Sequence, residues 1–204
     1  MAELRNLVLR VAQCLKSAQI EYVIVGGFAA IARGMPRTTM DLDVIIENDP
    51  EKILQLFTAL KERNFDIIDY QAQSAMLAGS NISIFDDLSP LRVDLKVAVK
   101  KIDRIALKHA KSESYEGIQI NIASPELILF GKVLYLGDIG DIPDDELLEY
   151  GDVRDFFAVV QQAAELNLDW IRKRVAEQGL AETFERLYRV ALDNSSKEKW
   201  TTDE

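Results

Sequence analysis

Residues 22–46 have the sequence YVIVGGFAAIARGMPRTTMDLDVII, and this stretch decides how the rest of the chain is interpreted. An apolar run ends at Gly26-Gly27 and is followed by a helical segment of small residues. A turn containing Gly34 and Pro36 then leads into a second apolar run. The stretch predicts a strand, a glycine turn, a helix, a loop and a second strand.

Two aspartates, Asp41 and Asp43, interrupt the second apolar run at a spacing of two residues. Residues at positions i and i+2 of a strand share a face, so Leu42, Val44 and Ile46 would face the core and the aspartates would face away from it. Carboxylate oxygens at this spacing suit Mg²⁺ or Mn²⁺. A solvated sheet face without a ligand would give the same pattern, and the sequence pattern alone leaves both interpretations open.

A third carboxylate, Asp94, lies in the stretch with the clearest two-residue periodicity, residues 91–99. Apolar and polar residues alternate along this predicted strand, and its polar face carries Arg92, Asp94 and Lys96. If this strand neighbours the one containing Asp41, the three aspartates share one face of a sheet beside the glycine turn. Such an arrangement predicts a divalent-metal and polyphosphate site, because backbone amides after a glycine turn can approach an anion closely.

The rest of the sequence predicts an α/β half followed by a helical half, with the boundary near Ala123. In the first half it predicts helices at 3–18, 50–63 and 102–111 and strands at 65–70, 75–78, 82–85 and 118–122. In the second half it predicts helices at 124–136, from 147 or 152 to 164, at 169–177 and at 180–192. We therefore divide the chain into a core at 1–122, a helical subdomain at 123–193 and a flexible tail at 194–204.

The amino-acid composition and charge of the chain argue against several classes of function. The formal net charge of −10 argues against non-specific binding to DNA, which depends on clustered lysine and arginine. No apolar run reaches the roughly 18 residues of a membrane span, and the amphipathic first helix is not a secretion signal. The single cysteine, Cys14, falls in the apolar phase of that helix and is expected to be an inert buried thiol. A cytoplasmic protein is expected.

The glycine pair, the motif Arg37-x-Thr39-x-Asp41-x-Asp43 and the later Asp94 resemble the DNA polymerase beta-like nucleotidyltransferase superfamily. In that superfamily a glycine pair precedes a D-x-D motif, and a later strand supplies the third acidic residue. One departure is Gly-Gly where many members have Gly-Ser, so no serine hydroxyl is offered to the phosphates.

The Arg-x-Thr-x-Asp-x-Asp form and the helical half beginning at Ser124-Pro125-Glu126 are similar to the minimal nucleotidyltransferases of the AbiEii toxin type. In those proteins a lysine and a D-x-x-D pair occur in the helical half, and Lys132, Asp152 and Asp155 match them here. A long acidic insertion between Lys132 and Asp152 is a second departure. The resemblance covers residues 20–160.

The resemblance implies an α+β fold, with a nucleotidyltransferase-like mixed β-sheet, flanking helices and a C-terminal helical region. It also implies metal-dependent transfer of a nucleoside monophosphate from a nucleoside triphosphate such as ATP to an acceptor. Asp41, Asp43 and Asp94 would bind two Mg²⁺ or Mn²⁺ ions, and Asp94 would help to deprotonate the acceptor hydroxyl.

The resemblance further implies that Gly26, Gly27, Arg37 and Thr39 contact the triphosphate and that Lys132 is catalytic. The acceptor stays open among a tRNA end, a protein side chain and a small molecule such as an antibiotic. A toxin role, with an antitoxin protein as partner, is implied by the AbiEii-like pattern. The alternative function is a non-catalytic nucleotide-binding or scaffold module that retains the fold.

Overall fold

The computed structural model describes residues 2–33, 38–68, 70, 72, 76 and 80–198, with side chains through residue 193. Contacts divide this chain into two compact units, and the main boundary follows Ala123. Residues 30–33 group with the second unit. No helix among the described residues is both long and apolar enough to cross a bilayer.

The first unit is built on a mixed sheet, which confirms the predicted fold class. Its strands are β1 (Tyr22–Ile24), β2 (Asp41–Ile46), β3 (Phe65–Asp66), β4 (Asn81–Asp86), β5 (Arg92–Val97), β6 (Ala110–Tyr115) and β7 (Ile118–Ala123). The order across the seven-stranded sheet is β3-β4-β5-β2-β1-β7-β6. β2 runs parallel to β5 and antiparallel to β1, so the two aspartate-bearing strands are direct neighbours at the centre of the sheet.

The helices of this part of the chain whose bounds the structure describes are α1 (Ala2–Ser17), α2 (Gly26–Ala32), α3 (Pro50–Lys61) and α4 (Lys101–Lys108). α1 packs on α3, where the buried Cys14 thiol donates to the carbonyl oxygen of Ala59. Burial raises the pKa of this thiol, as expected for an inert cysteine. α3 begins as predicted, with the Asp49 carboxylate accepting from the backbone of Glu51 and Lys52 ahead of Pro50 at the first turn.

The segment between α3 and β4 differs from the prediction. The strand predicted at 65–70 is limited to Phe65–Asp66, and Tyr70 is helical. Met76 is also helical, so the strand predicted at 75–78 is wrong there, and its other three residues lie outside the described chain. The physical reason is that short apolar runs occur equally in buried helical turns and in strands.

The strand β6 was absent from the prediction, which extended the preceding helix to Lys111. α4 instead ends at Lys108, and β6 pairs antiparallel with β7 through a turn at Glu116-Gly117. Both turn residues have positive φ, 51° and 82°, as a tight hairpin turn requires. β6 lies at the edge of the sheet and is mostly polar, so it lacks the apolar alternation that identifies a strand in sequence.

The second unit is helical. It contains α5 (Pro125–Leu136), α6 (Gly151–Gln162), α7 (Leu168–Ala176) and α8 (Ala181–Glu198), with a short 3₁₀ turn at Leu147–Glu149. The Ser124 hydroxyl caps α5 by accepting from the Leu127 amide, as predicted. Phe156 and Phe184 are fully buried and meet edge to face at the α6–α8 contact. α8 continues through residues 194–198, into the segment that the sequence assigned to the tail.

Candidate functional site

The three predicted aspartates lie on one face of the sheet. In the parallel register of β2 and β5, Asp41 is opposite Arg92 and Asp43 is opposite Asp94. The residues that alternate with them, including Leu42, are buried. Because neighbours in register point to the same side of a sheet, the predicted alternation and strand pairing place all three carboxylates together.

The glycine turn lies against one of these carboxylates. The Val25 amide donates to the Asp43 carbonyl over 2.9 Å, which continues the β1–β2 pairing up to the start of α2. Gly26 has φ +64°, and a Cβ atom at this position would overlap Oδ2 of Asp43. Position 26 therefore needs glycine for two reasons, a left-handed backbone and the close approach of a carboxylate. Gly27, the second residue of α2, follows directly.

A guanidinium group bridges the other two carboxylates. Arg92 places Nη2 3.2 Å from Oδ2 of Asp41 and Nε 3.1 Å from Oδ2 of Asp94. Hydrogen bonding and charge from Asp94, then from Asp41, raise the pKa of Arg92. The Arg92 side chain is 47% exposed, whereas the Asp41 and Asp94 side chains are 30% and 15% exposed. The cation covers two acidic groups that lie deeper than it does.

Hydroxyl groups bind the remaining oxygens of the same carboxylates. Thr39 Oγ1 donates to Oδ1 of Asp41, and Ser83 Oγ donates to Oδ1 of Asp94, each over 2.7 Å. Ser83 is opposite Asp94 in the antiparallel register of β4 and β5. Each carboxylate thus has one oxygen bound to a hydroxyl and the other to Arg92, so its orientation is fixed from two sides. We call Asp41, Asp43, Asp94 and Arg92 the sheet-face cluster.

The sheet-face cluster has the donor chemistry of a divalent-metal site. Carboxylate oxygens are the preferred protein ligands of Mg²⁺ and Mn²⁺. As the side chains stand, however, no group of three or more Asp, Glu, His or Cys residues in the described part of the chain is gathered around one point. Oδ2 of Asp41 and Oδ2 of Asp94 instead converge on the Arg92 guanidinium, a positive group in the place where a metal ion would neutralise them. The donor atoms therefore suit a divalent cation, but the described side chains as they stand do not form a metal-binding group.

Lys132 belongs to a second charged group, in the helical unit. Its Nζ atom is 2.6 Å from Oδ1 of Asp152 and 2.5 Å from Oδ2 of Asp155. The Lys132 side chain is 11% exposed and Asp155 is 9% exposed. α5 and α6 thus bring together the lysine and the D-x-x-D pair singled out in the sequence, and we call these three residues the helical triad. Arg37, the remaining predicted phosphate ligand, lies outside the described residues.

Sequence reasoning overlooked two members of the site, Arg92 and Ser83. Arg92 precedes Asp94 by two residues and therefore shares its face, a signal already present in the alternating pattern. Ser83 gives a weaker signal, because its partner is known only from the β4–β5 register. Thr39 was predicted to contact phosphate and is found bound to Asp41.

No protein-family profile matches the chain, and no curated protein matches it. Solved structures do match. An antigenic nucleotidyltransferase-like protein from Paracoccidioides brasiliensis is 22% identical, with 91% of this chain and 92% of that chain covered and a TM-score of 0.56. The antibiotic-resistance factor ANT(2'')-Ia in solution is 12% identical, with 97% and 98% covered and a TM-score of 0.56.

A crystal structure of ANT(2'')-Ia in complex with adenylyl-2''-tobramycin is also 12% identical, with 91% of this chain and 99% of that chain covered and a TM-score of 0.54. At these identities the comparisons establish the fold. The chain therefore has the nucleotidyltransferase fold predicted from the glycine pair and the three aspartates.

Proposed function

We propose that this protein is a metal-dependent nucleotidyltransferase that moves a nucleoside monophosphate from a nucleoside triphosphate to an acceptor hydroxyl. The observation that carries the proposal is the placement of Asp41, Asp43 and Asp94 on one sheet face, with Asp43 packed against the Gly26 turn. The nucleotidyltransferase fold of the chain supports it.

Each residue has a defined task in this proposal. Asp41, Asp43 and Asp94 would hold Mg²⁺ or Mn²⁺, which would supply charge neutralisation for the triphosphate and lower the pKa of the acceptor hydroxyl. Asp94 accepts the proton of that hydroxyl. The backbone of Gly26 and Gly27 would contact the triphosphate at the turn before α2, while the missing side chain of Gly26 makes room for the Asp43 carboxylate. Thr39 and Ser83 keep the Asp41 and Asp94 carboxylates oriented.

The acceptor stays open among a tRNA end, a protein side chain and a small molecule. The ANT(2'')-Ia complex contains an adenylylated aminoglycoside, so an aminoglycoside is the first small molecule to test. An AbiEii-like toxin role, an antitoxin partner and a preference for ATP are further proposals that depend on the sequence resemblance. Labelling of a cell extract with each α-³²P nucleoside triphosphate identifies the acceptor by what becomes radioactive.

The central test is the loss of a single carboxylate. Asp94→Asn keeps the shape of the side chain and removes its charge, so we expect label transfer to fall by at least about a hundredfold. Calorimetry should show Mg²⁺-dependent heat of nucleoside triphosphate binding in the wild type and its loss in Asp43→Ala. Asp66→Asn, an exposed aspartate on β3 of the same sheet, is the matched control and should behave as wild type.

The alternative function, a non-catalytic module, gives the opposite result in the same experiments. A protein that binds no nucleoside triphosphate in the presence of Mg²⁺, and labels no component of the extract, is a scaffold with this fold. The catalytic role that the resemblance implies for Lys132 stays a prediction. Lys132→Met tests it, because a catalytic lysine affects label transfer in protein that is still fully folded.

A further inference from the structure

We propose that Arg92 serves as an exchangeable counter-cation, pairing with Asp41 and Asp94 in the metal-free protein and leaving them when a divalent cation binds. This inference rests on the proposed function, because it assumes that the three aspartates take up a metal ion. It adds a competing group that the metal must displace.

Arg92 and a metal ion would bind the same carboxylate oxygen atoms. Both ion pairs of Arg92 are made to Oδ2, one on Asp41 and one on Asp94. A guanidinium bonded to these oxygens covers the lone pairs that a metal ion would use. Two positive groups on the same oxygens also repel each other, so occupancy by one opposes occupancy by the other.

The Asp41 and Asp94 carboxylates are held in place by groups other than Arg92. Thr39 binds Oδ1 of Asp41 and Ser83 binds Oδ1 of Asp94, and neither contact involves the guanidinium. When Arg92 leaves, these hydroxyls still orient the two carboxylates and the Oδ2 atoms remain directed toward the vacated position. The site is therefore organised for exchange of one cation for another.

Arg92 can leave the two aspartates at a low cost in free energy. Its side chain is 47% exposed and is rehydrated when it leaves, while Asp41 is 30% exposed and Asp94, 15% exposed, keeps its hydrogen bond from Ser83. Lys96, the next cation on the same strand face, instead pairs with the buried Asp103 of α4 over 2.7 Å. Among the described cations on this face of β5, Arg92 is the one paired with the aspartates of the proposed site.

The test measures metal affinity directly. Mn²⁺ binding is followed by electron paramagnetic resonance for the wild type and for Arg92→Gln, which removes the charge and keeps a polar side chain. We expect Arg92→Gln to bind Mn²⁺ about tenfold more tightly, since it no longer competes through two exposed ion pairs. Arg92→Lys retains a positive charge and should fall between the two.

Arg172→Gln is the matched control. Arg172 is 45% exposed and pairs with Glu185 between α7 and α8, so it resembles Arg92 in exposure and in having an acidic partner. Its Mn²⁺ affinity should equal that of the wild type. Thermal unfolding in EDTA verifies that each variant is folded before the metal is added.

A second readout follows the arginine itself. In a ¹⁵N-labelled protein the Arg92 Nε–H signal is assigned by its absence in Arg92→Lys. Addition of Mg²⁺ should move this signal toward the position of a solvent-exposed arginine and speed its exchange with water. A signal unchanged at saturating Mg²⁺ would mean that the guanidinium stays on Asp41 and Asp94, and the exchange would be excluded.

The outcomes separate this inference from the proposed function. Mn²⁺ binding in the wild type with equal or weaker binding in Arg92→Gln overturns the exchange and leaves the metal site intact. Absence of Mn²⁺ binding in both proteins overturns both proposals. Binding in Arg92→Gln alone means that Arg92 permanently blocks the site, which overturns the exchange and favours the non-catalytic module.

Discussion

The sheet-face cluster and the helical triad both contain a cation between two aspartates, yet their surroundings differ. Arg92 is 47% exposed and pairs with Asp41 and Asp94 at 3.1–3.2 Å. Lys132 is 11% exposed and pairs with Asp152 and Asp155 at 2.5–2.6 Å. The cation is thus solvated on the sheet and enclosed between helices, whereas the aspartates are similarly covered in both groups, 30% and 15% exposed on the sheet and 33% and 9% exposed in the helical unit.

The difference in exposure between Arg92 and Lys132 predicts which cation can be exchanged, because both place one positive charge between two aspartates. An exposed cation that leaves its partners is rehydrated at once, so the net cost is small. A buried cation that is removed leaves uncompensated carboxylates in a poorly solvated place, which is costly. We therefore assign an exchangeable role to Arg92 and expect a structural contribution from Lys132, whether or not it is also catalytic.

The largest expected effect is on the helical triad. Lys132→Met should lower the free energy of unfolding by about 3 kcal/mol, because Asp152 and Asp155 lose their shared counter-ion while Asp155 stays buried. Arg92→Met makes the same chemical change on the sheet and should cost less than about 1 kcal/mol. Urea unfolding followed by circular dichroism measures both. Equal losses in the two variants would remove the distinction between the regions.

A smaller effect is expected at the glycine turn beside the sheet-face cluster. Gly26→Ala forces a side chain into a backbone with φ +64° and into Oδ2 of Asp43, so the free energy of unfolding should fall by about 2 kcal/mol. Mn²⁺ binding should weaken as well, because Asp43 has to move. Both quantities are measured on one purified variant.

Gly117→Ala separates the two causes. Gly117 also has positive φ, +82°, but a Cβ atom there meets open space. We expect a loss of about 1 kcal/mol from backbone strain alone, with Mn²⁺ affinity unchanged. If the two alanine variants gave the same result, the contact between position 26 and Asp43 would have no role in the site.

The sequence placed Asp41 and Asp43 on one face of a strand, and it placed Asp94 beside them only on the condition that the two strands are neighbours. The alternation in 41–46 and 91–99 reports local burial, which the structure confirms for Leu42 and Val93. The register that sets Asp43 beside Asp94 is a contact between segments distant in the chain, and a local pattern contains no record of it. The alternating pattern already placed Arg92 on the face of Asp94, but its pairing with Asp41 depends on the same register.

Edge strands and short apolar runs account for the remaining differences in the fold. β6 pairs on one side only and carries few apolar residues, so its sequence resembles a polar loop or helix end. Met76 lies in a run short enough to suit a strand or a helical turn. Caps were more informative, because Asp49 and Ser124 satisfy backbone amides within three residues and need no distant partner.

The smallest expected effect is at Ser83, and it tests whether the sheet-face cluster is oriented by its hydroxyls. Ser83→Ala removes the 2.7 Å hydrogen bond to Oδ1 of Asp94, so the carboxylate can rotate and Mn²⁺ affinity should fall about threefold, with a loss of about 0.5 kcal/mol in stability. Ser83→Thr keeps a hydroxyl and should restore the affinity. Ser112→Ala, on the edge strand β6, removes a longer 3.4 Å hydrogen bond to Gln119 of β7 and should leave the affinity unchanged. A wild-type Mn²⁺ affinity in Ser83→Ala would mean that Asp94 is oriented by its strand alone. The exchange of Arg92 for a metal ion would then rest on the shared Oδ2 atoms and on the exposure of Arg92.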